Sequence, residues 1–157
     1  MKILRKRRHF VYELPERIEV LIRDGLLNWM EKREYRNPYD SVVVFAESLG
    51  VTEGEVVDYL RYHLDIKYCT LRRLLRIQDA AIMLLLLPDT PLRNIGRQVG
   101  YTDPSNFRKQ FREYTRHNPD SWRKRIVEKR KAAIPSRDER QPVAPTLRVW
   151  LPIYRNK

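Results

Sequence analysis

The fold of this chain is decided by one pattern of eight residues that occurs twice, at 45–52 (FAESLGVT) and again at 95–102 (IGRQVGYT). Each copy reads apolar, small, polar, polar, apolar, glycine, apolar, threonine. The small residue lets a second helix cross closely, and the glycine accepts the left-handed backbone of a tight turn. The apolar residue after the glycine fills the angle between the two helices. The pattern therefore predicts two helix-turn-helix units in the same chain.

A helical pattern surrounds both copies, from about residue 16 to residue 131. Glycine is rare, with 5 in 157 residues, and apolar residues recur at steps of three and four. In the first helix these steps define a buried side formed by Ile18, Leu21, Ile22, Leu26 and either Trp29 or Met30. We expect an all-α domain whose seven helices cover 16–32, a short stretch ending at 49, 53–64, 70–87, 91–100, 104–114 and 119–131.

The ends of the helices are marked by short polar residues, prolines and glycines. Gly50 and Gly100 stand where the second and fifth helices should end. Four polar residues are expected to cap the starts of helices, and three of them precede a proline that suits the first helical position. These are Asp40, Thr90 before Pro91, Asp103 before Pro104, and Asn118 before Pro119.

The chain carries a large excess of positive charge. Its 32 Lys and Arg residues outnumber its 20 Asp and Glu residues, which gives a formal net charge of +12 and a pI near 10.1. Lys and Arg that replace condensed counterions on phosphate gain free energy from their release, so this charge favours a polyanionic partner. Charge alone leaves open a merely basic surface, a ribosomal protein and a protein of the membrane surface.

Few side chains in the sequence suit metal binding or catalysis. Cys69 is the single cysteine, which excludes an intrachain disulfide and a cysteine cluster for zinc, and it suits a reducing cytoplasm. No glycine-rich phosphate loop and no catalytic His or Cys constellation is recognisable, so we expect no cofactor, no metal and no enzyme. No signal peptide is visible, and the longest apolar run, 80–87, is far shorter than the roughly 20 residues of a membrane span. The histidines are widely separated: His9, His63 and His117.

A set of spaced residues in the second half of the chain resembles the AraC/XylS family of transcription regulators. The motifs that carry the resemblance are Arg76-Ile77-x-x-Ala80-x-x-Met83-Leu84, Pro88-Asp89, Leu92-x-x-Ile95-Gly96-x-x-Val99-Gly100-Tyr101, Ser105-x-Phe107-x-x-x-Phe111-Arg112 and Asn118-Pro119-x-x-Trp122-Arg123. The similarity spans roughly 21–125 and is closest over 76–125.

The resemblance implies a fold and a function. The fold is a seven-helix domain of two helix-turn-helix units, at about 40–64 and 91–114, joined by a long linker helix at about 70–87. The function is to place two recognition helices in successive major-groove segments of double-stranded DNA and to recruit or block RNA polymerase. Arg76 is implied to serve the linker helix structurally. We expect a bacterial, cytoplasmic, nucleoid-associated protein without a membrane partner.

The second unit is chemically suited to DNA. Phe107 and Phe111 lie four residues apart and are expected to face the core, whereas the stretch 104–112 carries three basic residues and no acid. The resemblance places Pro104, Ser105 and Lys109 at base edges, and Asn106 and Arg108 at phosphate. Further donors to DNA are Arg93 and Asn94 at the start of the supporting helix, Arg112, and Arg123, Lys124 and Arg125 in the last helix.

The first unit departs from this chemistry. Its stretch 53–61 carries three acids and one base, and its matched base-reading positions are Gly54, Val57 and Asp58. A carboxylate is repelled by phosphate, although it can accept a hydrogen bond from cytosine N4. Asp65 and Arg116 also replace the glycine that usually follows each recognition helix in the family. The alternative function is therefore an interaction module whose acidic first unit docks a partner protein.

Both ends of the chain differ from the helical part. Residues 1–15 form a basic arm, and residues 132–157 form a tail in which prolines rule out a long helix. The apolar end of this tail, 147–154, either packs back on the domain or docks a partner. RNA binding finds no support, because the two phenylalanines of the second recognition helix are core positions rather than exposed stacking platforms.

Overall fold

The computed structural model describes the backbone of residues 13–132 and the side chains of residues 13–129. Within that range the chain forms seven α-helices, one 3-10 helix and no β-strand, as the sequence predicts apart from the 3-10 turn. None of these helices is long and apolar enough to cross a membrane. The helices are α1 (Glu16–Glu31), the 3-10 helix η1 (Glu34–Arg36), α2 (Val42–Leu49), α3 (Glu53–Leu64), α4 (Tyr68–Leu86), α5 (Leu92–Gln98), α6 (Pro104–Thr115) and α7 (Pro119–Ala132).

The two terminal segments fall almost entirely outside this range. Of the basic arm at 1–15, the structure describes only 13–15, where Leu14 packs against the first hydrophobic core. Of the tail at 132–157 it describes only the backbone of Ala132, which ends α7. The expectations for both segments stay predictions.

The first core is enclosed by α1, α2, α3 and the start of α4. Ile22, Leu26 and Trp29 form the buried stripe of α1, and they meet residues such as Val56 and Leu60 of α3. The expectation that Leu21 belongs to this stripe is wrong, because its side chain is 38% exposed. The spacing 22, 26, 29 fixes which side of α1 faces inward, and residue 21 falls about 100° away from it.

The second core lies between α4, α5, α6 and α7. Phe107 and Phe111 of α6 are fully buried in it, together with Trp122 of α7, so these phenylalanines are packing residues as expected. Gly96 permits the close crossing of α5 and α6, because a Cβ atom there would lie 3.0 Å from Cδ1 of Phe107. The long helix α4 contributes to both cores and is the element that the two units share.

The expected helix ends are confirmed at some positions and wrong at two. Asp103 accepts hydrogen bonds from the amides of residues 105 and 106, and Gly50 ends α2 with φ of 69°. Asp40 does not cap α2; its neighbour Ser41 does, by accepting from the amide of residue 44. Thr90 does not cap α5 either, since the N-cap position is Pro91 and no side chain caps that helix.

Asp40 is instead a buried polar hub of the first unit. Its carboxylate accepts hydrogen bonds from Trp29 Nε1 at 3.1 Å and from the Tyr68 hydroxyl at 2.9 Å. Burial raises the pKa of the Asp40 carboxyl, while these two hydrogen bonds and the charges of Arg72 and Arg76 oppose that rise. The residue is withdrawn from the helix end because two buried donors on α1 and α4 need an acceptor.

Arg76 of α4 binds the two units to each other. It is buried, and it donates to the carbonyl oxygens of Tyr35 at 2.5 Å, Asn37 at 2.7 Å and Gly100 at 3.1 Å. The first two acceptors lie in or next to η1 of the first unit, and the third lies in the turn of the second unit. The guanidinium also lies 5.6 Å from the ring centroid of Tyr101. The structural role implied for this arginine is therefore confirmed.

A second polar contact between η1 and α4 reinforces this link. Asp79 of α4 accepts from the Tyr35 hydroxyl at 2.6 Å and from Arg36 Nε at 2.7 Å. Burial and the Asp79 carboxylate raise the pKa of Tyr35 to about 12. The short 3-10 turn is thus held against α4 by both Arg76 and Asp79, although the segment has little apolar content.

Each unit also contains one arginine that holds the chain just before its supporting helix. Arg72 Nη1 donates to the carbonyl of Asp40, and Arg123 donates to the carbonyls of Pro88 at 2.7 Å and Thr90 at 2.8 Å. Asp40 and Thr90 occupy the same place in the two units, two residues before the first residue of α2 and α5. The internal repeat therefore extends beyond the sequence pattern to a tertiary contact.

The two turn glycines should differ in how they tolerate a side chain. Gly50→Ala should cost about 1–2 kcal/mol, because φ is 69° and nothing lies within 4 Å of the new Cβ. Gly100→Ala should cost about 1–3 kcal/mol more, because its Cβ would also meet the Arg36 carbonyl and lie 3.0 Å from Arg76 Cζ. The free energy of unfolding in urea measures both. Equal losses would show that the second turn is not clamped against η1.

Replacing Arg76 tests the link between the units. Arg76→Leu should lower the free energy of unfolding by about 3–5 kcal/mol, because it leaves three carbonyl groups without their donor. Arg73→Leu is the matched control, three residues before Arg76 on α4. It should lower the free energy of unfolding by less than about 1 kcal/mol, since the backbone contact of Arg73 lies within its own helix. A loss below that of the control would contradict this role for Arg76.

Candidate nucleic-acid interface

The N-terminal half of α6 is the candidate interface, and its geometry follows from three fixed points. Asp103 caps the helix, and the buried side chains of Phe107 and Phe111 set its rotation. The remaining faces must then point outward. The exposed residues of this helix include every residue of it that the sequence predicts as a DNA contact: Pro104, Ser105, Asn106, Arg108, Lys109 and Arg112.

The cations of this surface are unneutralised by neighbours. The structure gives Arg108, Lys109 and Arg112 no ion pair with any residue in its described part, and no acidic residue occurs between Pro104 and Arg112. The positive end of the α6 dipole lies at the same end of the helix. The arrangement therefore suits a polyanion that approaches the start of α6.

One side chain of this surface is held in place by a residue that sequence reasoning missed. Gln110 donates to Asn106 Oδ1 at 2.9 Å and accepts from the Tyr101 hydroxyl at 2.7 Å. Tyr101 is itself buried, so the chain of hydrogen bonds orients Asn106 from the turn of the unit. The spacing of four residues between two amides on a helix was the signal that could have revealed this contact.

The supporting helix α5 adds two exposed polar residues at its start. Arg93 and Asn94 are the second and third residues of α5, and both are exposed. The backbone amide of Asn94 donates to the carbonyl of Pro91, so what remains available to a partner is the side chain. The structure thus places the side chains of Arg93 and Asn94 at the surface.

The donors expected in α7 are not equivalent. Arg123 is engaged with the carbonyls before α5, so the expectation that it serves DNA is wrong. Arg125 lies 2.7 Å from Nε2 of His117, and Lys124 is exposed. Helix α7 packs against α4, which brings Arg123 to the carbonyl groups of Pro88 and Thr90 just after α4. Sequence spacing alone does not reveal this contact.

The same surface of the first unit has a different chemistry. Val43 and Val44, which match Arg93 and Asn94, are 45% and 50% exposed. In the recognition helix α3, Val57 and Asp58 match Arg108 and Lys109 when the buried Val56 and Leu60 are aligned with Phe107 and Phe111. Val57 therefore matches a position expected to meet phosphate, and not a base-reading position as expected from the sequence. Apolar and acidic groups therefore stand where the second unit presents donors.

Glu55 of α3 has a structural task. Its carboxylate accepts from the amide and the hydroxyl of Thr52 at 2.7 and 2.9 Å, which completes a capping box at the start of α3. One of the three acids of this helix is thereby committed to the helix end. Asp58 is the acid that remains at a position expected to read bases.

Both recognition helices end in the left-handed conformation without glycine. Asp65 has φ of 49° and Arg116 has φ of 62°, at the matched positions after α3 and α6. A non-glycine residue in this region costs roughly 1 kcal/mol or more. Both units therefore keep the left-handed backbone at the helix end, although the glycine that is usual at this position in the family is absent.

Comparison with known proteins agrees with this architecture. A family model described as a helix-turn-helix domain matches residues 45–125, which is more than half of the chain. The chain belongs to this family of AraC-type helix-turn-helix domains. No curated protein matches it.

Several solved structures share the fold at low sequence identity. The C-terminal domain of AraT, a response regulator from Geobacillus stearothermophilus, is 21% identical and matches with a TM-score of 0.63 over 70% of this chain and 88% of that one. A DNA-binding transcriptional dual regulator from Escherichia coli K-12 is 17% identical, with a TM-score of 0.57 over 75% and 99%. A transcriptional regulator with an AraC-type DNA-binding domain from Chromobacterium violaceum is 14% identical, with a TM-score of 0.59 over 70% and 95%.

Proposed function

We propose that this chain is a transcription regulator that binds double-stranded DNA in a sequence-specific manner, with α6 in the major groove. The observation that carries the proposal is the exposed basic face at the start of α6. The stretch 104–112 of this helix contains no acidic residue that would neutralise it. Similar structures described as DNA-binding regulators from Escherichia coli and Chromobacterium violaceum support the same function.

The side chains of the second unit divide into two roles. Lys109 donates to guanine O6 and N7, and Ser105 donates to or accepts from a base edge beside Pro104. Arg108 and Asn106 meet phosphate, and the orientation of Asn106 by Gln110 supports a fixed contact. Three further donors clamp the backbone on either side of the groove: Arg93, Asn94 and Arg112.

The second unit dominates DNA binding in this proposal. The stretch 104–112 contributes three positive charges and no negative one, whereas 53–61 contributes one positive and three negative charges. The exposed valines of α2 offer no hydrogen bond to phosphate where α5 offers Arg93 and Asn94. Two recognition helices with net charges of the same sign would contribute equally to binding a polyanion, but these two helices have net charges of opposite sign. Salt screens only part of their different interaction with DNA, over a distance of about 8 Å.

A second candidate function rests on the same asymmetry. Val43, Val44 and Tyr39 are exposed on the first unit, with Tyr39 at 83%, and acids such as Glu53 and Asp58 accompany them on the neighbouring α3. Such a surface suits a protein partner with apolar and basic groups, and RNA polymerase would be one such partner for a regulator. This candidate complements DNA binding by the second unit, or replaces it if no DNA sequence is selected.

Selection of bound sequences from a random duplex pool tests the proposal. We expect a sharp motif, and on a panel of its single-base variants Lys109→Ala should lose about 1–3 kcal/mol of preference at one base position. Arg108→Ala should weaken binding to all variants alike, because a phosphate contact carries no sequence information.

Lys32→Ala, a change of equal charge at an exposed site just after α1, is the control and should leave the preference unchanged. A pool without enrichment would favour the interaction module. Identical behaviour of the Lys109 and Arg108 variants across the panel would show that the two roles are wrongly assigned.

Asp58→Arg tests the asymmetry of the units. The substitution removes a negative charge and adds a donor at a position expected to read bases, so affinity for the selected operator at one fixed salt should rise by about tenfold. Glu31→Arg, the same change in charge at the exposed end of α1, should raise it much less. A large loss with Asp58→Arg would mean that Asp58 reads cytosine and that both units read DNA.

A further inference from the structure

Three polar side chains of the second unit form a relay of hydrogen bonds that runs from the buried turn to the exposed face of α6. The Tyr101 hydroxyl donates to Gln110 Oε1 at 2.7 Å, and Gln110 Nε2 donates to Asn106 Oδ1 at 2.9 Å. Tyr101 is 5% exposed, Gln110 is half-buried and Asn106 is exposed. The relay therefore carries donors outward, from the core of the unit toward its surface.

The direction of the relay is decided at its buried end. A side-chain amide can turn end for end, and Gln110 would then offer its NH2 group to the Tyr101 hydroxyl. The hydroxyl proton would need another acceptor, and no second acceptor bonds to it among residues 13–129. Leaving a buried donor unpaired is unfavourable, so Gln110 keeps its oxygen toward the hydroxyl.

The donor at the buried end is also fixed in protonation and in position. Burial raises the pKa of Tyr101 to about 12, although the charge of Arg76 opposes that rise. The hydroxyl therefore remains protonated near neutral pH, where DNA binding is measured. The ring packs against Phe107, with the ring centroids 5.3 Å apart, which holds the hydroxyl beside α6.

The exposed end of the relay presents a donor. The bond from Gln110 holds Oδ1 of Asn106 toward the next turn of α6, and no residue of the described part bonds to Nδ2. The backbone of Asn106 is held as well, since its amide donates to Oδ2 of Asp103 at 3.1 Å. An asparagine that reads adenine uses its oxygen for N6 and its nitrogen for N7. The free NH2 group of Asn106 suits a phosphate oxygen instead.

We infer that Tyr101 and Gln110 are positioning residues that fix Asn106 as a hydrogen-bond donor to a DNA phosphate. The inference rests on the proposed DNA binding by α6 and adds the task of two residues that do not touch DNA. A side chain already held in one conformation loses less freedom on binding, so the relay strengthens the contact. Because a phosphate contact carries no sequence information, losing it should weaken binding to every duplex alike.

A double-mutant cycle tests the inference at one fixed salt, on the selected operator and on an unrelated duplex. Gln110→Leu and Tyr101→Phe should each raise the Kd about three- to tenfold on both duplexes. In an Asn106→Ala background each should change the Kd by less than about twofold. Gln78→Leu, the same substitution at an exposed site on α4, is the control and should leave the Kd unchanged. Thermal unfolding checks that each variant is folded at the temperature of measurement.

The direction of the relay is measured in the free protein, by NMR of the side-chain amides. The amide hydrogens of Gln110 should exchange with water more slowly than those of Asn106, because Gln110 Nε2 donates to Asn106. Tyr101→Phe should speed the exchange at Gln110, since the bond that orients this amide is lost. Slower exchange at Asn106 than at Gln110 would show that the relay runs in the opposite direction.

Two results on DNA would also overturn the inference. Equal losses with and without Asn106 would give Tyr101 and Gln110 a purely structural role. A loss in Asn106→Ala that is confined to one base position would mean that Asn106 reads a base. Failure to bind either duplex would overturn the proposed function and with it the phosphate contact, and the exchange rates in the free protein would then decide the direction of the relay alone.

Discussion

The structure depends on the buried guanidinium of Arg76. Its three hydrogen bonds join η1 of the first unit to the turn of the second, across the one helix that both units share. A planar fork with several donors can satisfy carbonyl groups from different segments at once, which no other side chain does equally well. The close approach leaves no room for a Cβ at residue 100, so the glycine of the second turn serves both the turn and the clamp. Arg76 thereby links the two units that carry the recognition helices.

Within this frame the two units keep the same skeleton and differ in surface chemistry. The capped recognition helices, the left-handed residues after them, and the arginines that hold the chain before α2 and α5 are matched between the units. The outward-facing residues differ between the units, since Val43 and Val57 of the first unit occupy the positions equivalent to Arg93 and Arg108 of the second. Packing constrains the skeleton in both copies, whereas the partner constrains the surface. The divergence is therefore concentrated at the positions that would touch a partner.

Much of the fold could be predicted from the sequence, because local rules govern it. The internal eight-residue repeat predicted both turns, and the proline that follows Asp103 predicted the start of α6 correctly. The failures involve polar groups whose partners are remote in the chain. The sequence predicts Asp40 as a helix cap, but in the structure it accepts hydrogen bonds from two buried donors. The sequence likewise predicts Arg123 as a DNA contact, but in the structure it donates to the carbonyl groups of residues 88 and 90.

We propose that the two units, which Arg76 joins, contribute unequally to DNA binding. Methylation protection with dimethyl sulfate on the selected operator tests this, because the reagent attacks guanine N7 in the major groove and so reads each major-groove segment separately. We expect strong protection around a single segment and weak protection one helical turn, or about 10 base pairs, away. Equal protection of two successive segments would contradict this asymmetry, since it would require the acidic first unit to bind DNA as firmly as the basic second one.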